Sequence, residues 1–230
     1  MNALSAESLL QFNYLFRGLS KSAISSIAAL ATRRQFSKGT VVFSQGDEPD
    51  ALYGIVAGKI RISASSQSGQ EVFLSYMEPG DTFGEIAVMD GLPRTATATV
   101  VEDATLIMIQ RSEFLRLLRN EPMLSLQLIE LLCKRLRWTS ELIEESAFLD
   151  GEARLAKRLL ILSTLHGRLN KSNKIELSIS QDDLAHFLGV SRQAVNQYLR
   201  EWQRKSWVAL GRNRISILDA EALKETVRTA

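Results

Sequence analysis

The chain is poor in the residues that build metal centres and disulfide frameworks. Its 230 residues include one cysteine, Cys133, which excludes an internal disulfide, a four-cysteine zinc site and a cysteine-ligated iron–sulfur cluster. The two histidines, His166 and His186, are too few for a histidine-rich metal centre. We therefore expect no bound metal, and the low cysteine content favours a reducing compartment.

The sequence also lacks a membrane-spanning run and a secretion signal. It contains no stretch of about 18 uncharged apolar residues, the length that a spanning helix needs. The N-terminal run MNALSAESLLQFNYLF has neither a basic start nor a small-residue cleavage site. These absences predict a cytoplasmic protein with no membrane partner.

Charge is distributed unevenly along the chain, although the formal net charge is only +2. Residues 1–150 hold 14 basic and 18 acidic side chains, a net charge of −4, whereas residues 151–230 hold 14 and 8, a net charge of +6. The asymmetry indicates two parts with different partners, and a polyanion is a candidate partner of the C-terminal part. A solvated charged face explains the same asymmetry.

The spacing of apolar and turn residues predicts helices followed by a β-rich region. Residues 5–31 carry apolar residues at helical spacing, which predicts one or two short helices. Residues 36–110 consist of short β-rich runs, and eight of the 13 glycines lie between Gly39 and Gly91. This texture predicts an antiparallel sandwich or barrel. Helical spacing then returns, with a short helix predicted over 112–119.

A long helix is predicted from about Pro122 to Phe148, since proline suits the first turn of a helix. One face of it has the alternating spacing of a heptad seam, which implies a partner helix: Ile129, Leu132, Leu136, Thr139, Ile143 and Ser146. No helix of this length and pattern precedes it, so a twofold mate is favoured over an internal partner. Thr139 and its neighbour Ser140 are either tolerated small polar residues or hydrogen-bond donors to a bound molecule.

Residues 180–202 have the signals of two short helices joined by a tight turn. Ser180 and Ser191 are suited to cap the two helices, and Gly189 lies where the chain turns with positive φ. The second helix presents an outward face whose arginine and amide side chains suit guanine and adenine in the major groove: Arg192, Gln193, Asn196, Gln197 and Arg200. A DNA-binding helix-turn-helix is therefore predicted.

A β-hairpin is predicted over 207–219, around a Gly-Arg-Asn turn. In a wing of this kind, Arg212 and Arg214 can contact phosphates. Ser180 and Gln181, at the start of the first helix, and Ser191, at the start of the second, are further candidates for contact with DNA. Together with the local charge of +6, these features predict that the C-terminal part binds double-stranded DNA.

A second run, FGEIAVMDGLPRTATATV at 83–100, has the chemistry of an anion site. A helical turn opening at Gly84-Glu85 offers backbone N–H groups, Arg94 offers a guanidinium fork, and Thr95 offers a hydroxyl. Glu85 would repel a bare phosphate but can accept a hydrogen bond from a sugar hydroxyl, so the residues favour a sugar phosphate. The alternative is a structural bridge between Arg94 and Glu85 inside a β-barrel.

These segments resemble a known family. The run 83–96 is similar to the phosphate-binding cassette of cyclic-nucleotide-binding domains and has five residues in the expected places: Gly84, Glu85, Arg94, Thr95 and Ala96. The run RLRWTSELIEESAFLD at 135–150 resembles the long helix and hinge of the cAMP-receptor type within the Crp/Fnr superfamily of transcription regulators. The likeness continues through the helix-turn-helix and wing and covers nearly the whole chain.

The resemblance implies that six residues surround the ribose phosphate of a cyclic nucleotide: Gly84, Glu85, Ile86, Ala87, Arg94 and Thr95. Glu85 is expected to bind the 2′-hydroxyl and Gly84 to contact the ribose. Arg94 and Thr95 are expected to hold the cyclic phosphate, assisted by the backbone N–H groups near Ile86 and Ala87.

The resemblance also implies contacts to the base. Ile62, Leu74 and Met77 are expected to wall the base, although Met77 is equally well explained as a core residue. Thr139 and Ser140, from the two helices of a homodimer, are expected to form hydrogen bonds with the edge of the purine.

The sequence departs from the cAMP-receptor type at two places. In the second helix of the DNA-binding motif Arg192 is kept, but Gln193 replaces a glutamate and Gln197 replaces an arginine. Because glutamine prefers adenine whereas a carboxylate accepts from cytosine, the palindromic DNA site is expected to differ from the usual one. Thr95 replaces a serine, as in some cGMP-selective domains. We expect cAMP, because the hydroxyl pair of the long helix is intact, with cGMP as the alternative.

The resulting fold class is α+β. An N-terminal antiparallel, jelly-roll-like β-roll is expected over 1–120 as the cyclic-nucleotide-binding domain, a dimerisation helix over 121–150, and a winged helix-turn-helix over 151–230. The expected function is cAMP-responsive, homodimeric transcription regulation on palindromic double-stranded DNA, with RNA polymerase as a further partner. Alternatives are a cGMP-responsive regulator and a ligand-independent or redox-type regulator of the same superfamily. The sequence contains no nucleophile–base pair, so no enzymatic activity is expected.

Overall fold

The structure is a computed structural model that describes residues 6–69, 71–169 and 174–229. Its contacts group into two compact units. The N-terminal unit comprises the chain up to Arg137 without residues 71–73, and the C-terminal unit comprises 71–73 with the chain from Trp138. The domain boundaries expected near residues 120 and 150 stay predictions.

The N-terminal unit begins with two helices, as the apolar spacing predicts. Helix α1 spans Ala6–Phe12, a 3-10 turn spans Tyr14–Phe16, and α2 spans Lys21–Leu30. Asn13 links the 3-10 turn to the residue before β5. Its side chain accepts from the N–H of Leu15 at 3.0 Å and donates to the carbonyl of Asp81 at 2.9 Å. The buried faces of the two helices join one apolar cluster.

A six-stranded sheet forms the β-rich region, in the order β1-β6-β3-β4, with β2 paired to β6 and β5 paired to β3. All pairings with a described register are antiparallel. The strands are β1 Thr32–Phe36, β2 Val41–Phe43, β3 Ala51–Ser65, β4 Glu71–Met77, β5 Thr82–Phe83 and β6 Thr97–Gln110. The antiparallel β-roll is therefore confirmed, while β1 had no counterpart in the sequence analysis.

Three helices accompany and follow the sheet. Helix α3 spans Glu85–Asp90, α4 spans Arg111–Asn120, and α5 spans Pro122–Phe148. The predicted bounds of the long helix coincide with those of α5, whose first residue is proline, a position where the missing N–H costs nothing.

The C-terminal unit contains the predicted helix-turn-helix. Helix α6 spans Gly151–His166, α7 spans Gln181–Leu188, and α8 spans Arg192–Arg204. The hydroxyls of Ser180 and Ser191 accept from the N–H three residues on, at 3.0 and 3.1 Å, which stabilises the start of α7 and of α8.

A four-stranded sheet completes this unit in the order β7-β8-β10-β9. Its elements are β7 Arg168–Leu169, β8 Ile175–Leu177, β9 Val208–Gly211 and β10 Arg214–Ile217, followed by α9 at Ala220–Arg228. Strands β9 and β10 form the predicted hairpin. Residues 170–173, between β7 and β8, lie outside the described residues.

None of the helices described here combines the length and apolar content that crossing a bilayer requires. Within the same residues, no three histidine, cysteine or acidic side chains are grouped so that they could hold a metal ion.

Candidate ligand site and DNA-contact surface

Arg94 is a buried cation with protein acceptors on both terminal nitrogens. The residue is 2% exposed. Its Nη1 donates to the carbonyl of Gly84 at 2.8 Å, and its Nη2 donates to the carbonyl of Ala51 and to Oδ1 of Asp50, both at 2.7 Å. Its Nε is buried and has no hydrogen-bond partner among the described residues. The guanidinium also lies over the ring of Phe43, with Cζ 4.2 Å from the centroid. The site therefore keeps one charged donor for a further acceptor.

Gly84 allows the backbone to approach Arg94 closely. Its φ is +82°, a left-handed conformation that favours glycine. A Cβ atom at this position would lie 2.7 Å from Nη1 of Arg94. Any larger residue would therefore displace the guanidinium from the start of α3.

Asp50 connects the Arg94 cluster to solvent. Its Oδ1 also accepts from the N–H of Ala51 at 2.8 Å, and its Oδ2 accepts from the hydroxyl of Tyr53 at 3.2 Å. Burial raises the pKa of Tyr53 to about 12, and the neighbouring carboxylate of Asp50 adds to the rise. The phenol is therefore neutral near pH 7 and acts as the donor. Since the Asp50 side chain is 58% exposed, its carboxylate is the accessible member of this cluster.

Glu85 pairs with the long helix rather than with Arg94. It is 4% exposed, and its Oε1 lies 3.3 Å from Nε of Arg135 on α5. Nη2 of Arg135 also lies 3.2 Å from the carbonyl oxygen of Thr82 and 3.4 Å from Sδ of Met77. The alternative of a structural bridge between Arg94 and Glu85 is therefore wrong, because each charge is compensated by a different residue.

The other predicted ligand contacts differ in accessibility. Ala87 is buried in α3, whereas Ile86 and Thr95 are exposed. Met77 is 5% exposed and belongs to an apolar core cluster, against which the partly buried Ile62 packs. Met77 is therefore a core residue of this unit, and its expected contact with the base stays a prediction.

Leu74, the third predicted wall residue, is half-buried on β4. Thr139 and Ser140 are exposed on the part of α5 that belongs to the C-terminal unit. The apolar members of the same heptad seam are strongly exposed, with Ile129 at 56%, Leu136 at 68% and Ile143 at 65%. The seam is thus left uncovered by the described residues of this chain at these positions.

Asp50 and Arg135 were missed by sequence reasoning. Arg135 had a usable signal, because it lies one helical turn before Thr139 on the helix whose hydroxyls were proposed to reach the ligand. Asp50 gave no signal beyond its place before a strand. Both contacts join residues far apart in sequence, Arg94 to Asp50 and Arg135 to Glu85.

The outward face of α8 carries all five residues predicted from the helix. A surface depression is lined by these side chains and by a sixth that the prediction left out: Arg192, Gln193, Asn196, Gln197, Arg200 and Arg204. Val195, Leu199 and Trp202 point to the opposite, buried face. The helical period that selected Arg200 continues to Arg204, so the same signal could have found it.

The remaining predicted DNA contacts differ in their exposure and in the partners of their side chains. The hydroxyl of Ser180 is used within the cap of α7, where it also donates to Asp183 at 2.6 Å. Gln181 is half-buried at the first position of α7, and Arg212 is exposed in the hairpin turn. Nη1 of Arg214 lies 3.5 Å from a carboxylate oxygen of Glu176.

The buried donors and acceptors of the N-terminal unit fit a sugar phosphate. Arg94 supplies a guanidinium whose Nε is free of protein acceptors among the described residues, which suits an anionic oxygen. Glu85 supplies a buried carboxylate, an acceptor for a hydroxyl. The two groups are therefore compatible with a ligand that carries both an anionic oxygen and a hydroxyl.

Comparison with known proteins assigns both halves of the chain. Residues 33–121 match the family model of the cyclic nucleotide-binding domain, and residues 153–226 match that of the Crp-like helix-turn-helix domain. The chain is 31% identical over 215 residues to the CRP-like cAMP-activated global transcriptional regulator of Mycobacterium tuberculosis, covering 93% of this chain and 96% of that protein.

Two solved structures show the same fold. The catabolite activator protein of Thermus thermophilus is 30% identical with a TM-score of 0.55, covering 94% of this chain and 99% of that one. The c-di-GMP responsive regulator CLP of Xanthomonas campestris has a TM-score of 0.78 at 23% identity, covering 86% and 99%, and supports the fold alone. The families and relatives are transcription regulators rather than enzymes. The chain therefore belongs to the Crp/Fnr family of transcription regulators and combines a cyclic nucleotide-binding domain with a Crp-like DNA-binding domain.

Proposed function

We propose that the chain is a cAMP-responsive, homodimeric regulator that binds palindromic double-stranded DNA. One observation carries this proposal: Arg94 is buried within the matched nucleotide-binding domain and retains a donor with no protein acceptor among the described residues. A buried guanidinium donor without an acceptor is costly unless a ligand supplies one. The cyclic phosphate is that acceptor, and the buried Glu85 accepts from the ribose 2′-hydroxyl.

The family resemblance supports the remaining parts of the proposed ligand site. Gly84 and the backbone of Ile86 and Ala87 contact the ribose phosphate, and Thr95 adds a hydroxyl to the phosphate. Thr139 and Ser140 bind the purine from the two long helices. The ligand acts by binding one dimer geometry more tightly than the other, and a shift from mostly inactive to mostly active needs about 5.5 kcal/mol of differential binding.

Selection from a random DNA library with no ligand, with cAMP and with cGMP tests the whole proposal. We expect a palindrome to be enriched strongly with cAMP and weakly without it. Its half-sites should lie about 34 Å apart, because the two recognition helices of a dimer occupy major grooves one helical turn apart. Calorimetric titration should show tighter binding of cAMP than of cGMP. Tighter cGMP binding would reverse the choice of purine, and equal enrichment in all three selections would contradict ligand control.

The selected half-site should differ from that of the usual cAMP-receptor consensus. Gln193 and Gln197 offer amide groups that pair with adenine, whereas a glutamate accepts from cytosine and an arginine donates to guanine. Return of the usual consensus would contradict the roles given to both glutamines. Contact with RNA polymerase is a further expectation from the family, with no contact surface assigned.

The second copy of the chain is proposed to cover the seam of α5. Leu136→Asp places a carboxylate on each of two facing helices, so we expect the dimer dissociation constant to rise at least about 100-fold and DNA binding to fall with it. Arg137→Asp, at an exposed position of the same helix outside the seam, is the control and should leave the dimer intact. Analytical ultracentrifugation measures both, and an unchanged Leu136→Asp dimer would rule out this interface.

A further inference from the structure

Among the described residues, the DNA-contact face of α8 forms one ion pair with an acidic side chain. The described residues that line the depression include three arginines, Arg192, Arg200 and Arg204, and no carboxylate. The charge of Arg192 is partly neutralised, because its Nη1 lies 3.3 Å from Oδ2 of Asp182 on α7. The pair therefore joins the two helices of the DNA-binding motif at the residue expected to contact guanine.

This ion pair is suited to exchange rather than to structural support. The side chain of Arg192 is 66% exposed and that of Asp182 is 53% exposed. Exposed pairs of this kind contribute little to folding stability, since water screens them. The cap of α7 is made by Ser180 with Asp183, so the start of that helix has its own support. The carboxylate of Asp182 therefore has no part in the hydrogen bonds that cap α7.

We propose that Asp182 is a specificity-determining residue for DNA, an inference that rests on the proposed function of α8. Because Asp182 pairs with Arg192, the guanidinium of Arg192 is less available to the phosphates of DNA of random sequence. A phosphate contact would break the ion pair and bring a carboxylate close to the anionic backbone. A guanine edge presents O6 and N7 together, and its two hydrogen bonds compensate for the lost pair. The repulsive carboxylate thus weakens binding to the wrong partner more than to the right one.

Asp182→Asn removes the charge and keeps the size of the side chain. We expect affinity for a scrambled duplex to rise about fivefold and affinity for the selected palindrome to change less than twofold. If the released Arg192 makes one extra phosphate contact per subunit, the plot of log K against log salt for the scrambled duplex should steepen by about 0.9 for each contact. Asp182→Glu restores the charge and should return the ratio of the two affinities toward that of the wild-type protein.

Glu221→Gln is the matched control, because it removes the same charge from an ion pair formed within α9 with Lys224. This variant should change the ratio of the two affinities by less than about twofold. It should change the slope of log K against log salt by less than about 0.3. Fluorescence anisotropy of the full-length protein with saturating cAMP, on both duplexes at several salt concentrations, supplies all of these values. Thermal unfolding of each variant provides a stability readout, and a purely structural Asp182 would lower the melting temperature and leave the ratio unchanged.

The outcomes separate this inference from the proposed function. If the wild-type protein discriminates between the duplexes and Asp182→Asn keeps the same ratio, the inference is overturned and the proposed function stands. An equal rise in affinity for both duplexes also overturns it, because the effect would then be one of net charge alone. A wild-type protein that does not discriminate overturns both, since it has no specificity for Asp182 to determine.

Discussion

Replacing Arg94 with glutamine is expected to weaken cAMP binding about 100-fold and to abolish the DNA response at ligand concentrations that saturate the wild-type protein. Removing one partner of a buried, hydrogen-bonded charge pair costs about 2–5 kcal/mol, and 2.8 kcal/mol corresponds to a factor of about 100. Arg94 is 2% exposed, and its Nη1 donates to the carbonyl of Gly84 directly before α3. Screening by water therefore does little to reduce the loss.

The same substitution also removes interactions that support the fold. Arg94 binds the carbonyls of Gly84 and Ala51 and the carboxylate of Asp50, so the variant should unfold at lower temperature than the wild-type protein. Glutamine retains an amide donor for one of these carbonyls, which is why it is preferred to alanine. Far-UV circular dichroism at the titration temperature must show a wild-type spectrum before a binding loss is attributed to the ligand contact.

Arg111→Gln provides a matched control for this experiment. Nε of Arg111 donates to the carbonyl of Val88 on α3 at 2.9 Å, so this residue supports the same helix without a proposed ligand role. We expect it to lower stability while leaving cAMP affinity within about threefold. If Arg94→Gln and Arg111→Gln bind cAMP equally well in calorimetry, Arg94 does not hold the phosphate and the ligand site lies elsewhere.

The elements that the sequence predicts well are those with local signals. Pro122 and a heptad seam delimit α5, and the capping residues Ser180 and Ser191 delimit α7 and α8, because each signal acts within one or two helical turns. Strand β8 was missed since its three residues are too short to show alternation, and it is stabilised by pairing with β10 about 40 positions later. Propensity carries no information about such distant partners.

The candidate site shows the same division between local and distant information. The residue types and spacing of Glu85 and Arg94 were sufficient to propose a sugar-phosphate site. Their actual partners, Arg135 and Asp50, come from other elements and depend on the way that the β-roll closes. Sequence reasoning therefore identified the two charged residues but not their protein partners, since Arg94 pairs with Asp50 and Glu85 with Arg135.

Charge compensation also underlies the largest stability effect expected in the C-terminal unit. Glu145 on α5 and Arg158 on α6 form an ion pair whose side chains are 3% and 2% exposed. Arg158 lies between two aromatic rings, with Cζ 4.8 Å from the centroid of Trp138 and 4.7 Å from that of Phe187. Burial lowers the pKa of Arg158, but the carboxylate of Glu145 opposes the shift, and an arginine remains charged. The pair fixes the end of α5 to α6 across the segment at residues 149–150.

Glu145→Gln should lower the free energy of unfolding of this unit by about 3–5 kcal/mol, because it leaves the buried guanidinium without a counterion. The exposed acid Glu225, paired with Arg228, is the control, and its replacement by glutamine should change the free energy by less than about 0.5 kcal/mol. All three tryptophans of the chain, Trp138, Trp202 and Trp207, belong to the C-terminal unit. Urea titration followed by tryptophan fluorescence therefore reports on this unit alone.

A double replacement decides whether the cost arises from the unpaired charge or from lost packing. Glu145→Leu with Arg158→Met removes both charges and keeps most of the apolar volume, and such exchanges of a buried pair are often neutral or stabilising. We expect the double variant to be more stable than Glu145→Gln by at least about 2 kcal/mol. A double variant as unstable as the single one would show that the aromatic packing of Arg158, and not its charge, holds α5 to α6. We expect instead that the double variant is the more stable of the two. The reason is that the guanidinium of Arg158 lies between two rings, and Glu145 is the only acid at ion-pair distance from it among the described residues.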